Sequence, residues 1–185
     1  MIEEALLEAE EKMDKAVEVA KENFSGIRTG RVNPGLFNKV MVDYYGAPTP
    51  LQQLASFASP EARTLLITPY DQSSLKAIET ALRDSDMGAN PSNDGSVIRI
   101  TMPELTAERR KEYIKLAHGQ AEDAKVSIRH IRRHAKDTMD KAVKDGDVGE
   151  DEGNRGEKEL DVLTKKYTDS VDALLKSKEA ELSEV

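Results

Sequence analysis

The sequence contains no cysteine and no tryptophan, and its aromatic residues are limited to five tyrosines and three phenylalanines. The absence of cysteine excludes disulfide bonds, thiolate zinc sites and cysteine nucleophiles, and it suits a reducing compartment. So few aromatic residues favour a helical interior of aliphatic side chains over a broad β-sheet core. No apolar run approaches the ~20 residues of a membrane-spanning helix, and the acidic start, Met1-Ile2-Glu3-Glu4-Ala5, is unlike a signal peptide. These features predict a cytoplasmic protein without membrane contact.

The net charge of −8 is distributed unevenly along the 185 residues. Residues 1–23 carry eight acids and three bases, and residues 137–185 carry fifteen acids and eight bases. Residues 105–136 instead carry nine Lys and Arg against four Asp and Glu. An acidic protein with one basic segment is repelled from polyanions except along that segment. The sequence therefore favours oriented docking on a polyanion over non-specific binding.

Three segments have apolar residues at spacings of three and four, which predicts long amphipathic helices. Each apolar stripe is narrow, so no helix buries its stripe alone, and we predict an antiparallel three-helix bundle. The second helix, residues 105–145, would be ~60 Å long at ~1.5 Å per residue. The predicted core positions are Ile2, Leu6, Ala9, Met13, Val17, Ala20, Phe24 and Ile27; Ala117, Ala121, Ala124, Ile128, Ile131, Ala135, Met139 and Ala142; and Leu160, Leu163, Tyr167, Val171, Leu174 and Leu182.

The middle of the chain, residues 31–104, differs in composition and holds all seven prolines. Residues 46–50 predict a turn followed by a weaker strand through Leu54, and residues 90–95 predict another turn. Runs of β-branched and apolar residues predict three further strands, and one short amphipathic pattern predicts a helix. The three strands are residues 39–45, 64–68 and 96–101, and the helix is residues 73–84.

The predicted fold class is α+β, mainly α, with residues 31–104 forming a small β/α/β domain inserted into the bundle of residues 1–30 and 105–185. The chain crosses between the two domains near residues 30–34 and 102–106, where glycine and proline interrupt helix and strand. Two short crossings predict a hinge between rigid bodies. The predicted hinge residues are Gly30, Arg31, Val32, Pro103, Glu104 and Leu105.

Two local signals predict the ends of the bundle helices. Thr106 is a suitable N-cap for the second helix, because its hydroxyl can accept a backbone N–H of the first turn. The acidic, glycine-rich residues 144–153 predict the break between the second and third helices.

The strongest local signal is the basic run of residues 125–136. At about 100° per residue, five cations of this run fall on one arc beside the apolar stripe, and Lys111 and Lys115 extend the arc toward the N-terminus. Arginine suits bidentate contact with phosphate, and a straight helix holds such groups at fixed spacing. Since like charges on neighbouring turns repel, the arc favours structured RNA as a partner over the alternative, a merely solvated face. The five cations are Lys125, Arg129, Arg132, Arg133 and Lys136, and we expect the guanidinium groups of the three arginines to point outward rather than pair with the protein's own acids.

A second basic cluster, Arg28-Thr29-Gly30-Arg31, is predicted at the end of the first helix. Cations there complement the helix dipole, while the neighbouring domain crossing favours an RNA or interdomain contact, and both interpretations stay open.

Signals for an enzyme are poor. His130 and His134 stand four residues apart on a helix, but no carboxylate completes a metal site, so they are expected to be surface histidines. The sequence has no nucleotide-binding glycine loop and no nucleophile elbow. We therefore predict a non-enzymatic protein without metal or cofactor. A coiled-coil adaptor for an acidic protein is the main alternative, and a hydrolase is a distant third.

A series of short motifs occurs in one order along the chain: Arg28-Thr29-Gly30-Arg31, Asn33-Pro34, Tyr44-Tyr45-Gly46 with Thr49-Pro50, Leu54-Ala55, Asn90-Pro91, Asn93-Asp94-Gly95, Leu105-Thr106, Glu108-Arg109-Arg110-Lys111, and Lys125-Val126 with Arg129 and Arg132-Arg133. This order resembles that of ribosome recycling factors, from Met1 to Val185. Each motif is weak alone, but their joint order and spacing are specific.

The resemblance implies an L-shaped monomer that binds in the intersubunit space of a terminated bacterial-type ribosome. Its bundle would contact large-subunit ribosomal RNA, and elongation factor G with GTP would push on the smaller domain and split the subunits. The resemblance makes Arg132 the most critical RNA contact. Its matching neighbours are Arg129, Arg133, Arg28, Arg31 and Arg110, and Lys125 and Lys136 of the basic arc complete the predicted rRNA-binding set.

Some positions depart from the family pattern, including His130, His134, Val32 and Ala107. The glycines at 153 and 156 are expected to weaken the start of the third helix. None of these changes removes a critical arginine, so the implied activity stands.

Overall fold

The computed structural model describes residues 1–85 and 90–184, which form an α+β fold that is mainly helical. This confirms the predicted fold class. The described part of the chain has no helix that is long and apolar enough to cross a membrane. The chain forms two compact units: a first unit of Met1–Phe24 and Ile114–Ala180, and a second unit of Ser25–Tyr113 with the described residues from Glu181 onward.

The structure contains four α-helices and six strands among the described residues, together with short 3₁₀ turns at Pro34–Phe37, Leu51–Gln53 and Gln72–Ser74. In chain order, the helices and strands are α1 (Ile2–Ser25), β1 (Met41–Tyr44), β2 (Ala47–Pro50), β3 (Ala55–Glu61), β4 (Thr64–Pro69), α2 (Leu75–Asp84), β5 (Asn90–Asn93), β6 (Ile98–Thr101), α3 (Ala107–Lys144) and α4 (Glu150–Ser183).

The first unit is a bundle of α1, α3 and α4, whose apolar stripes face one another. The stripes predicted from the sequence are confirmed as buried, with four residues (Leu6, Ile131, Leu163 and Leu174) half-buried, but Ile27, which follows α1, and Leu182 belong to the second unit. The short connection between α3 and α4 makes these two helices antiparallel. Burial of these stripes is the main source of helix stability, because isolated helices are marginal in water.

Glycine allows α4 to lie against its neighbours at two places. A Cβ added to Gly156 would come within 2.6 Å of Cγ2 of Ile2, and one added to Gly153 within 2.6 Å of Cγ2 of Val143. The helix begins at Glu150, so the predicted loop of residues 144–153 is too long and both glycines lie inside α4. The expectation that they weaken its start overlooked their packing role and the three acids of the first turn, which favour the helix dipole.

The predicted start of α3 is confirmed in atomic detail. The backbone N–H of Arg109 donates to Oγ1 of Thr106 at 3.1 Å, which satisfies one of the free N–H groups of the first turn.

Replacing Thr106 with alanine is therefore expected to lower the free energy of unfolding by about 1 kcal/mol. Urea denaturation followed by circular dichroism measures the change. Thr106→Ser keeps the hydroxyl and should stay close to the parent protein. An equal loss in both variants would mean that the cap hydrogen bond is not the cause.

The second unit holds two antiparallel sheets: the hairpin β1-β2 and a four-stranded sheet in the order β3-β4-β6-β5. The hairpin turn places Tyr45 at φ 51° and Gly46 at φ 83°, the two positive values that a tight two-residue turn requires. The helix α2 buries Ile78 and Leu82 in one cluster with the sheet's inner residues. Those inner residues are Leu65, Ile67, Ile98 and Ile100, and Phe37 and Leu51 join the same core.

Parts of the predicted strand assignment are wrong. Residues 90–93, predicted as a turn, pair with β6, and the turn follows at Asp94, whose carboxylate accepts the N–H groups of Ser96 and Val97. The strand β3 was missed because Ala-Ser-Phe-Ala-Ser-Pro-Glu lacks an alternating apolar pattern, and pairing with β4 outweighs that weak local preference. The weaker strand expected through Leu54 is instead β2 followed by a 3₁₀ turn.

Candidate RNA-binding helix face

The five predicted cations of the basic arc lie on the middle of α3, within the first unit. They flank the buried residues Ile128 and Ala135, which belong to the core. Because α3 is continuous from Ala107 to Lys144, the cations are held on one rigid element. We call this set, Lys125, Arg129, Arg132, Arg133 and Lys136, the basic face.

Two arginines of the basic face are held by carboxylates. Nε and Nη2 of Arg132 donate to Oδ1 of Asp161 on α4, at 2.9 and 2.6 Å. Nη2 of Arg129 donates to Oε1 of Glu122 on α3 at 2.7 Å. The Arg132 side chain keeps 31% of its surface exposed and that of Arg129 keeps 56%, so both remain accessible from solvent.

The two lysines of the basic face are also paired. Lys125 pairs with Asp172 of α4. Nζ of Lys136 lies 2.8 Å from Oδ2 of Asp140 and 3.9 Å from Oε1 of Glu157. The hydrogen bond to Asp140, with the charges of both acids, raises the pKa of Lys136, so this lysine stays charged well into the alkaline range.

Arg133 is exposed and makes no ion pair or side-chain hydrogen bond within residues 1–85 and 90–184. It alone meets the expectation that the guanidinium groups point outward without an internal acid. That expectation was wrong for Arg132, whose partner Asp161 lies on the neighbouring α4, and for Arg129, whose partner Glu122 lies two turns earlier on α3 itself.

The ion pairs between α3 and α4 form a regular ladder. Antiparallel helices bring residues of nearly constant index sum opposite each other, so a basic row on one helix meets an acidic row on the other. The four rungs are the contact between His118 and Glu179 and the ion pairs Lys125–Asp172, Arg132–Asp161 and Lys136–Glu157. The acidic residues are the ones that sequence analysis missed, and the antiparallel pairing of the two helices is the signal that could have found them.

Pairing does not remove the basic face from binding. Exposed ion pairs contribute about 0–1 kcal/mol each, and hydrogen bonds to phosphate from arginine are strong and bidentate. A phosphate can therefore share or take over these cations at small cost to the fold.

A second group of arginines lies in the second unit. Arg28 and Arg110 each have a buried Nε with no acceptor in the described part of the chain. Burial lowers the pKa of Arg28; Tyr113 opposes this, and the like charges of Arg109 and Arg63 add to it. Arg63, in the turn between β3 and β4, and Arg109, at the start of α3, therefore lie near Arg28. Arg63 was not among the residues predicted from the sequence.

The helix-dipole interpretation of the Arg28 cluster is not supported. α1 ends at Ser25, where Gly26 interrupts it, and its last turn contains no basic residue. Arg31 is exposed, and its backbone N–H donates to Oγ1 of Thr29 at 3.3 Å.

Both predicted hinge segments lie within the second unit and contact its turn between β3 and β4. The N–H of Val32 donates to the carbonyl of Ala62 at 2.7 Å, and the N–H of Met102 donates to the carbonyl of Arg63 at 2.8 Å. The remaining predicted hinge residues are Gly30, Arg31, Pro103 and Glu104, which are exposed, and Leu105, which is buried.

The histidines do not assemble a metal site. His130 and His134 are exposed on α3, and no group of three or more His, Asp or Glu residues in the described ranges is arranged to hold a metal ion.

The architecture and the basic face define a class: an α+β protein whose helical bundle carries a row of cations on one helix. Comparison with known proteins identifies the family, since the family model described as ribosome recycling factor matches residues 20–182. The ribosome-recycling factor of Renibacterium salmoninarum is 75% identical over 185 residues, covering 100% of both chains. That of Streptomyces coelicolor is 66% identical, also with full coverage of both.

Solved structures give the same result. A solution structure of a ribosome recycling factor has a TM-score of 0.80 and 38% identity, covering 100% of this chain and 98% of that one. A second structure has a TM-score of 0.72 and 43% identity, covering 98% of each chain. It is described as models for the T. thermophilus ribosome recycling factor and the E. coli elongation factor G bound to the E. coli post-termination complex. The chain belongs to the ribosome recycling factor family, whose members are translation factors and not enzymes.

Proposed function

We propose that the protein, as a monomer in the cytoplasm, binds post-termination ribosomes through large-subunit ribosomal RNA. With elongation factor G and GTP it then splits the subunits and releases mRNA and tRNA for a new round of translation. The observation that carries the proposal is the full-length match to relatives, one of which is described with elongation factor G on the post-termination complex. The apolar stripes of the three bundle helices are buried within a single chain, which supports a monomer.

The geometry supports a binding role for the basic face and for a second set of arginines, Arg28, Arg31 and Arg110. Arginine presents a planar fork that matches a phosphate. In this proposal Arg132, Arg129, Arg133, Lys125 and Lys136 contact the RNA backbone, and Arg28, Arg31 and Arg110 form a second contact. The free energy for splitting comes from the GTP cycle of elongation factor G, because the chain contributes contacts and not hydrolysis. The predicted hinge near residues 30–34 and 102–106 allows the smaller domain to be moved.

The decisive experiment mixes the protein with post-termination ribosomes, elongation factor G and GTP, and follows subunit splitting by light scattering. We expect scattering to fall only when all components are present. Omission of GTP and replacement by a non-hydrolysable analogue are the controls. Splitting that does not depend on this protein, or its absence with all components present, would contradict the proposal. Competition for the basic face by ribosomal subunits separates this function from that of an adaptor for an acidic protein.

A further inference from the structure

The charges of the basic face are balanced within the bundle. Four of its five cations pair with five carboxylates, and Arg133 makes no ion pair within the described ranges, so the charges of these ten residues sum to zero. Two of the carboxylates are on α3 and three on α4. Those on α3 are Glu122 and Asp140, and those on α4 are Glu157, Asp161 and Asp172.

Such a balance affects two kinds of RNA binding differently. Non-specific binding depends on the summed positive charge, because each neutralised phosphate releases counterions whatever the sequence or shape of the RNA. A face with zero net charge attracts RNA weakly at long range. Binding at fixed positions depends instead on individual donors that meet individual phosphates.

The hydrogen bonds of Arg132 show how it can contact a phosphate while it stays paired with Asp161. Oδ1 of Asp161 accepts hydrogen bonds from the edge of the guanidinium formed by Nε and Nη2. A guanidinium has five N–H donors, so the edge formed by Nη1 and the second donor of Nη2 is free for a phosphate. The pairing also orders a side chain that otherwise loses rotamer entropy on binding. A phosphate at the free edge therefore does not require Asp161 to leave.

We propose that the α4 carboxylates of Glu157, Asp161 and Asp172 act as a specificity filter for the RNA that the bundle binds. They cancel the attraction of the basic face for RNA in general, and they leave the contacts to a correctly placed phosphate intact. This inference rests on the proposed function and adds to it the residues that restrict it to one RNA surface.

The experiment compares two variants of the full chain that lose the same charge. Asp161→Asn/Asp172→Asn removes two carboxylates of the ladder. Glu11→Gln/Glu159→Gln removes two carboxylates that are exposed on their helices and make no ion pair within the described ranges. Affinity is measured for large ribosomal subunits and for a short RNA duplex of unrelated sequence, at two salt concentrations. Thermal unfolding of each variant verifies that the bundle is folded.

We expect the ladder variant to bind the unrelated duplex about tenfold more tightly, because two carboxylates next to the contacted phosphates are gone. Its affinity for the large subunit should change by less than about threefold, since those contacts already tolerate the acids. The control variant should change both affinities by about twofold or less, as its acids are exposed, make no ion pair with the basic face and are screened by salt. The ratio of the two affinities therefore falls in the ladder variant only.

Two results would overturn the inference while leaving the proposed function intact. One is a duplex affinity that rises no more than in the control variant. The other is a large-subunit affinity that rises as much as the duplex affinity, since the acids would then oppose all RNA equally. Failure of the parent chain to bind large subunits would contradict the proposed function and this inference with it.

Discussion

Replacing Arg132 with alanine is expected to weaken binding to the large ribosomal subunit by about 1–3 kcal/mol, a loss of roughly 5- to 150-fold in affinity. The side chain is half-buried, and its hydrogen bonds to Asp161 use Nε and Nη2 and leave Nη1 without a partner within the described ranges. Alanine removes this donor pair and the charge together. Sedimentation of the protein with large subunits measures the change.

The fold is expected to survive this substitution. Removal of Arg132 leaves Asp161, whose side chain is 54% exposed, in contact with water, so no buried charge is created. The lost ion pair contributes at most about 1 kcal/mol to stability. The thermal unfolding midpoint should therefore fall only slightly, and a large fall would mean that weaker binding reports unfolding.

Two matched variants make the result specific. Arg132→Lys keeps the charge and loses the planar fork, so its affinity should lie between the parent and Arg132→Ala. Arg155→Ala removes an exposed cation of α4 outside the basic face and should bind nearly as tightly as the parent. If Arg132→Ala and Arg155→Ala lose the same affinity, net charge alone explains the effect and the assigned role of Arg132 is wrong.

The helical part of the fold could be predicted because its information is local and periodic. The stripe of Ile128, Ala135 and Met139 follows the helical repeat and is buried as predicted. The cap at Thr106 likewise needs only a hydroxyl before an amphipathic run. The long α3 follows from these two signals together.

The strands of the second unit were harder to predict because their pairing is non-local. β3 and β5 contain serine, proline and asparagine, and they become strands through hydrogen bonds to β4 and β6. No pattern within either segment specifies those partners.

The candidate site was predicted in position but not in its electrostatic state. The cations of α3 occupy the face that the helical repeat assigned to them, whereas the partners of Arg132 and Lys125 come from α4, 29 and 47 residues further along the chain. Such pairing depends on how two helices lie against each other, so the sequence of one helix does not reveal it. The register of Arg132 with Asp161 became visible only in the folded bundle.

The close approach of α4 to α1 and α3 makes a second substitution strongly unfavourable. Gly156→Leu is expected to lower the free energy of unfolding by about 2–3 kcal/mol, because added atoms in a filled core force side chains and backbone apart. The first added atom alone would lie 2.6 Å from Cγ2 of Ile2 and 3.3 Å from Sδ of Met139. Urea denaturation followed by circular dichroism measures the effect.

The same substitution at Gly119 is the matched control, since that glycine also lies inside a bundle helix. A Cβ added to Gly119 meets nothing within 4 Å, and leucine is a better helix former than glycine by up to about 1 kcal/mol. Gly119→Leu should therefore unfold at equal or higher urea concentration than the parent. Equal behaviour of the two variants would show that α4 can move away from Ile2 and Met139, and that close packing at Gly156 contributes little. A lower midpoint for Gly156→Leu alone would mean that the close packing of α4 against Ile2 and Met139 requires glycine at this position.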